Sequence, residues 1–249
     1  MKTTKTDWGD VAGWYDDVVN SDDSFQKNVI LPNLLRIVGE VKGKNILDIA
    51  CGQGYFADAL EKAGAKVTAF DMGADLIKIA KSKNKNIDFK VLNAESFATD
   101  INSKYDIAIC VLAIQNIENV KKVFENLKTV MGKNGKCILV LNHPAFRIPK
   151  QSSWHNDNDA QYRRIDSYMT ESKIKMDMTP GKKTDKTFTY SYHRPLQYYF
   201  KIFANTRFAV NRLEEWCSHK ESEQGPRKDA EDRARREIPM FMCLELTSI

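Results

Sequence analysis

Asp48, Gly52, Gly54 and Asp71 are the residues whose types and spacing point to chemistry. The two glycines end an apolar run, Ile46-Leu47-Asp48-Ile49-Ala50, and a helical pattern follows through Phe56, Ala57, Ala59, Leu60 and Ala63. A strand that turns on glycine into a helix brings bare backbone to the carboxyl edge of a sheet. Open α/β folds bind ligands there, and only glycine lets a ligand approach the main chain so closely. Gly52, Gly54 and Ala57 fit G-x-G-x-x-[GA], and Asp71 stands about 20 residues further on, where a ribose-binding acid is expected. Both features suit a dinucleotide. Asp48 argues against one, because a pyrophosphate would place its negative charge close to this carboxylate, whereas a ligand that brings positive charge is attracted to it. The remaining candidates for chemistry lie downstream. His143 and His193 have the pKa of a general base. Gln115 and Asn116 are amides better suited to positioning than to proton abstraction. Arg147 and Arg194 can hold a carboxylate or phosphate by paired hydrogen bonds, and Trp154, Tyr162 and Tyr192 can wall an apolar pocket or pack in a core.

The elements that must position these residues follow a regular rhythm. A helix over 25–40 carries Phe25, Val29, Ile30, Leu34, Leu35 and Val38, is broken or kinked at Pro32 and is closed by Gly39. After the strand and glycine turn, the patterns predict a helix over 55–63 ended by Gly64, a strand over 66–71, a helix over 74–82 and a strand over 87–92. A strand over 105–112, a helix over 119–131 ending at Gly132 and a strand over 135–142 complete the series. Such alternation builds a doubly wound parallel sheet. From His143 the rhythm breaks for about 40 residues, and chain of that length inside a compact domain is usually functional or structured in its own right. An alternating stretch over 186–193, a helix from about 195 to 204 opened by Pro195, a strand over 208–213, a charged excursion over 220–237 ending in a short helix, and a strand over 239–246 close the chain.

The pattern D-x-A-C-G-x-G, read from Asp48 to Gly54, closely resembles the cofactor loop of the class I, Rossmann-like S-adenosylmethionine-dependent methyltransferases of small-molecule type. That cofactor brings an ammonium and a sulfonium and no phosphate, which agrees with the reading of Asp48. The resemblance covers most of the chain. It implies an α/β fold with a doubly wound, seven-stranded, mostly parallel sheet whose last strand is antiparallel, an N-terminal helical lid and an insertion after the fifth strand. It implies one domain over 1–249: N-terminal helices and lid over 1–41, a cofactor-binding core over 42–144, an acceptor-binding insertion over 145–187 and C-terminal strands and helix completing the sheet over 188–249. S-adenosyl-L-methionine is the implied cofactor and S-adenosyl-L-homocysteine the product. The residues carried over to that cofactor are Asp48, Ala50, Gly52, Gln53 and Gly54 in the loop, Asp71 on the ribose and Met72 against the adenine. Asn93, Ala94 and Glu95 stand at the adenine amino position, where many relatives have Asp, and Val111 and Leu112 end the fourth strand. The leader Trp8, Ala12, Tyr15 and Asp16 resembles W-x-x-x-A-x-x-Y-D, in which Tyr15 folds over the cofactor, although an amphipathic helix packing on the core accounts for the same spacing.

The implied activity is transfer of a methyl group to an oxygen or nitrogen of a small-molecule acceptor, with Gln115, Asn116, Arg147, Trp154, Tyr162, Tyr192 and Arg194 contributing to the acceptor site. Two other readings share the sequence: an RNA or protein methyltransferase whose Arg163, Arg164, Lys173, Lys175, Lys182 and Lys183 meet phosphates or acidic partners, and a non-catalytic cofactor-binding subunit. Composition bounds these. At 249 residues, 42% hydrophobic and 29% charged, the chain has the make-up of a globular protein. Its net charge of +5 is spread among interleaved acids. No signal-peptide core and no apolar run of about 20 residues is present. Five scattered cysteines without a C-x-x-C pair suit a reducing cytoplasm, and no stretch has metal-ligand spacing, so no metal is expected.

Overall fold

β1 (Asn45–Ile49) lies between β2 (Lys66–Asp71) and β4 (Tyr105–Val111) and pairs in parallel with both. This is why its apolar run is nearly continuous: Ile46 and Leu47 point to opposite faces of the sheet, and helices cover both. The computed structural model of the protein describes residues 21–101, 103–157, 159–178 and 188–249; the leader with Tyr15, and Lys182 and Lys183, lie outside them. The sheet runs β10-β11-β5-β4-β1-β2-β3, with β3 at Asp88–Val91, β5 at Met131–Asn142, β10 at Phe208–Trp216 and β11 at Phe241–Ser248. β1 to β5 are parallel, and β11 runs antiparallel to β5 and β10. The strand order reverses between β1 and β4, and a crevice opens outside their carboxyl ends.

On the Ile46 face lie α1 (Leu31–Val38), α2 (Tyr55–Lys62) and α3 (Ala74–Lys83), burying Leu34, Leu60 and Ile77. On the Leu47 face lie α4 (Val120–Val130) and α5 (Leu196–Asn205), burying Phe124 and Phe203. The break expected at Pro32 takes a specific form: a π-helical turn, Gln26–Ile30, leads into α1 and places Pro32 in the first turn of that helix, where its missing N–H costs nothing. Cys110, Cys137 and Cys243 are buried in the sheet, and burial pushes the thiols of Cys137 and Cys243 up to about 12, so they are inert core residues. No helix among the described residues is long and apolar enough to cross a membrane.

The insertion is two hairpins. β6 (Ser152–Asp157) pairs with β7 (Ala160–Ile165), and this hairpin packs on α6 (Lys228–Glu237). β8 (Ser172–Asp177) pairs with β9 (Phe188–His193). β9 therefore belongs to the insertion and takes no part in the main sheet, a departure from the boundary at 188 expected from the sequence. The hairpin β8–β9 leans instead on the short 3-10 turn Ile114–Asn116 after β4.

Candidate active site

Period two along β1 puts Asp48 on the face of Ile46, beneath α2. Its carboxylate accepts the backbone N–H of Ala57 in the first turn of that helix, while Oδ2 has no hydrogen-bond partner. The residue is 2% exposed. Burial first, and the Asp71 carboxylate second, push its pKa well above the usual carboxylate range. An orphaned, buried carboxylate oxygen is costly until a cation or donor reaches it. The first turn of α2, with the Ala57 N–H spent on a carboxylate, makes a poor cradle for a pyrophosphate. A cationic nucleoside without phosphate fits both facts.

Asp71 ends β2 and ties two turns together. Its Oδ2 accepts the Gly52 N–H at 2.9 Å and its Oδ1 the Gly73 N–H at 2.8 Å. Each oxygen has a second lone pair, so this brace is compatible with a ribose diol. The glycine turn follows from local geometry: Gly52 (φ 57) and Gly54 (φ 79) are left-handed, and a Cβ on Gly54 would lie 2.7 Å from Cζ of buried Phe89. Gly54→Ala is expected to destabilise the fold by about 2 kcal/mol, through left-handed strain plus overpacking, as read by urea unfolding.

The carboxyl ends of the strands open into one cavity of about 1150 Å³. Asp48, Ala50, Gly52, Gln53 and Gly54 line it after β1, Asp71 and Met72 after β2, and Asn93, Ala94 and Glu95 after β3. Val111, Leu112, Gln115 and Asn116 line it after β4, and Tyr192 from β9. All the described residues assigned to the cofactor thus meet at one place. Ala50 (φ 55) and Leu112 (φ 54), each the first residue past its strand, sit in the left-handed region without being glycine. Such strain gathers where surroundings hold a binding site in shape. Two side chains are partly engaged already: Asn93 Oδ1 accepts the Glu95 N–H at 2.8 Å, and Glu95 Oε1 accepts the Asn119 N–H at 2.9 Å.

His143, His193, Arg147, Trp154, Tyr162 and Arg194 do not line this cavity. His143, His193 and Arg194 each bond a group distant in sequence instead. His143 Nδ1 accepts the N–H groups of Ala145 and Phe146, so the proton sits on Nε2, 2.6 Å from Glu215 Oε1. Burial lowers its pKa, although Glu215 opposes the shift. The ring is a neutral hinge pin for the chain leaving β5. His193 Nε2 donates to the Tyr168 carbonyl at 2.7 Å. Arg194 Nη2 donates to the carbonyls of Ile117 and Glu118, and its guanidinium lies over Tyr192 and Tyr198 at 4.8 and 5.1 Å. Arg147 and Arg163 stack on Trp154 at 5.3 and 5.1 Å, and Tyr162 is exposed.

His143→Ala is expected to lower stability by about 1–3 kcal/mol, because the buried ring leaves a gap and the half-buried N–H groups of Ala145 and Phe146 lose their acceptor, while leaving cofactor affinity intact. The sign with pH is set by the depressed pKa. The native protein holds His143 neutral, so this contribution is complete above the ordinary value of 6.5 and fades as pH falls through the lower folded value. Thermal melts of both proteins from pH 7.5 to 5 check this, the variant losing less on acidification.

Sequence reading missed the residues that face the acceptor end. Glu118, Asn142, Pro149, Met176, Met178, Thr189 and Ser191 all line the cavity, as does Lys173, which the sequence offered only to an RNA or protein partner. Only the alternation over 186–193 signalled any of them, since it puts Thr189, Ser191 and His193 on one buried face of β9. Lys173 Nζ lies 3.2 Å from Glu118 Oε1 and 5.2 Å from the Tyr192 ring, and bonds the Tyr192 hydroxyl. Among the described residues no cluster of His, Cys, Asp and Glu could hold a metal.

Comparison with known proteins agrees with this architecture. Residues 23–178 match the family model described as a methyltransferase domain. A ubiquinone biosynthesis O-methyltransferase of Coxiella burnetii is 31% identical over 100 residues, 39% of this chain and 42% of that protein. The chain thus spans about two-fifths of the length of the curated relatives it matches. Among solved structures, an S-adenosylmethionine-dependent methyltransferase from Mesorhizobium loti superposes with a TM-score of 0.69 at 20% identity, covering 87% of this chain and 96% of the other. Magnesium protoporphyrin IX methyltransferase from Synechocystis, with bound S-adenosylhomocysteine, does so with a TM-score of 0.59 at 14% identity, covering 98% and 95%. At such identities the likeness is one of fold.

Proposed function

The chain belongs to the methyltransferase domain family, and from that premise we propose that it moves a methyl group from S-adenosylmethionine to an oxygen or nitrogen of a small molecule. The observation that carries this reading is the single cavity: one end carries the paired acids Asp48 and Asp71, and the other is walled by the hairpin β8–β9. When bound, S-adenosylmethionine supplies an electrophilic methyl on a sulfonium. Asp48, Asp71 and the glycine turn hold that group. Gln115, Asn116 and the inner face of the hairpin orient the acceptor against it and keep water out, and alignment of this kind can remove several kcal/mol of a barrier. Among the described residues no imidazole lines the cavity, so the chain's contribution is chiefly positioning.

A wall over the acceptor end favours an enclosed small molecule over a macromolecule lying across an open face. Two of the basic residues that would serve an RNA partner are engaged elsewhere: Lys173 with Glu118, and Arg163 with Trp154 and the Phe146 carbonyl at 2.7 Å. The curated relatives named for ubiquinone biosynthesis lend further weight to a small-molecule acceptor. Incubation with radiolabelled methyl donor and fractionated extract tests the reading. Label in the small-molecule fraction is expected. Label confined to RNA or protein would overturn it, and cofactor uptake without transfer to any fraction would turn the reading towards a non-catalytic subunit.

A further inference from the structure

Eight buried side-chain atoms among the described residues lack a hydrogen-bond partner, and three of them, Asp48 Oδ2, Gln115 Oε1 and Thr189 Oγ1, belong to residues that line the cavity at the carboxyl ends of the strands. Asp48 stands at the cofactor end. The other two stand at the acceptor end, on elements that touch: the turn Ile114–Asn116 and β9. Gln115 is 8% exposed and Thr189 is 2% exposed. Gln115 Nε2 already donates to the Leu112 carbonyl at 2.7 Å, which leaves its oxygen as the unused atom and fixes it as an acceptor. Thr189 is not explained by packing. A hairpin that merely covered a core would carry Val there, of the same shape and without the cost of an unmatched hydroxyl. Met176 is paired opposite Thr189 in the hairpin, and Met178 follows it into the same wall.

Charge narrows the class further. Among the described lining residues that come from the ends of β4 and β5 and from the hairpin, only Glu118 and Lys173 are charged, and they pair with each other at 3.2 Å. Among these described residues no unpaired cation is left to hold a carboxylate or a phosphate.

We infer that Gln115 Oε1 and Thr189 Oγ1 are the pair that recognises the acceptor, and that the acceptor is an uncharged molecule presenting an O–H or N–H donor beside an apolar body seated on Met176 and Met178. This rests on the methyl-transfer reading and adds the substrate class to it. The donor hydrogen meets the Gln115 amide oxygen, and the Thr189 hydroxyl turns to accept or donate as the partner requires. The thioethers supply an adaptable, polarisable floor for a ring.

The test uses the full chain saturated with S-adenosylhomocysteine and three probes that share one benzene ring: phenol, anisole and benzoate, with dissociation constants from saturation-transfer NMR. Phenol is expected to bind at least fivefold more tightly than either of the others. Equal binding, preference for benzoate, or no binding of phenol overturns the inference. Thr189→Val is expected to weaken phenol about tenfold, which is one neutral hydrogen bond, with the affinity for S-adenosylhomocysteine unchanged and the melting temperature unchanged or raised. An unchanged phenol constant, or a lower melting temperature, assigns Thr189 to the scaffold and overturns its role. Failure of S-adenosylhomocysteine itself to bind, measured separately by calorimetry, would count against the methyl-transfer reading; retained cofactor binding without the phenol preference would count against this inference alone.

Discussion

Asp48→Asn is expected to weaken binding of S-adenosylmethionine by about 10- to 100-fold and at the same time to raise the melting temperature of the ligand-free protein. Both effects come from one atom. Oδ2 of Asp48 is buried without a partner beside a second carboxylate, so the ligand-free fold holds this group against a raised pKa. The folded state therefore keeps a proton that the unfolded chain releases. The stabilising effect of that proton is complete below the ordinary carboxylate value of 3.8 and is lost as pH rises through the folded value. The amide removes this loss, so its advantage over the natural residue should grow with pH. Binding should show the reverse. A cationic ligand draws the carboxylate into its ionised form, and a charge-assisted contact is worth about 1.5–3 kcal/mol, which sets the fold-change given above. Affinity in the natural protein should accordingly rise with pH, with a proton released on binding, and the variant should show neither. Calorimetry in buffers of different ionisation enthalpy, with thermal melts from pH 5 to 9, reads all of this. A variant that binds as tightly as the natural protein would remove Asp48 from the cofactor site.

Asp71→Ala is expected to cost more, because the carboxylate braces the scaffold as well as facing the cavity. Its loss frees the N–H groups of Gly52 and Gly73, one half-buried and one buried, and so loosens the glycine turn together with the turn after β2. A destabilisation of about 3 kcal/mol follows from two charge-assisted bonds, and cofactor affinity should fall about 100-fold or more as the preformed turn is lost. Asp71→Asn separates the two contributions. It keeps one oxygen for one brace, so stability should be partly restored, while affinity for a diol that needs a strong acceptor should stay low. Equal recovery of stability and affinity in the amide variant would mean that Asp71 serves only the loop.

Much of this protein was legible because the information is local. The run from Ile46 to Ala63 encodes strand, glycine turn and helix in consecutive residues, and period two together with the 3.6-residue period of the helix decides which side chains meet. Asp48 beneath α2 and the left-handed glycines follow from that alone. Asp71 and the residues after β3 and β4 were equally accessible, since parallel strands bring their carboxyl ends to one edge whatever lies between them. Tertiary structure decided the other half of the site. His143 is claimed by Glu215, 72 residues away, and Arg194 by carbonyls 77 and 76 residues away, so two residues with the right chemistry for catalysis or anion binding are spent on holding the chain together. Thr189, an unremarkable hydroxyl in an alternating strand, reaches the cavity because β9 pairs with β8 and folds over the turn after β4. The physical reason is the range of the interactions. A turn or a helix cap is chosen by neighbours a few residues apart, whereas the partner of a buried polar group is whichever element the packing brings to it.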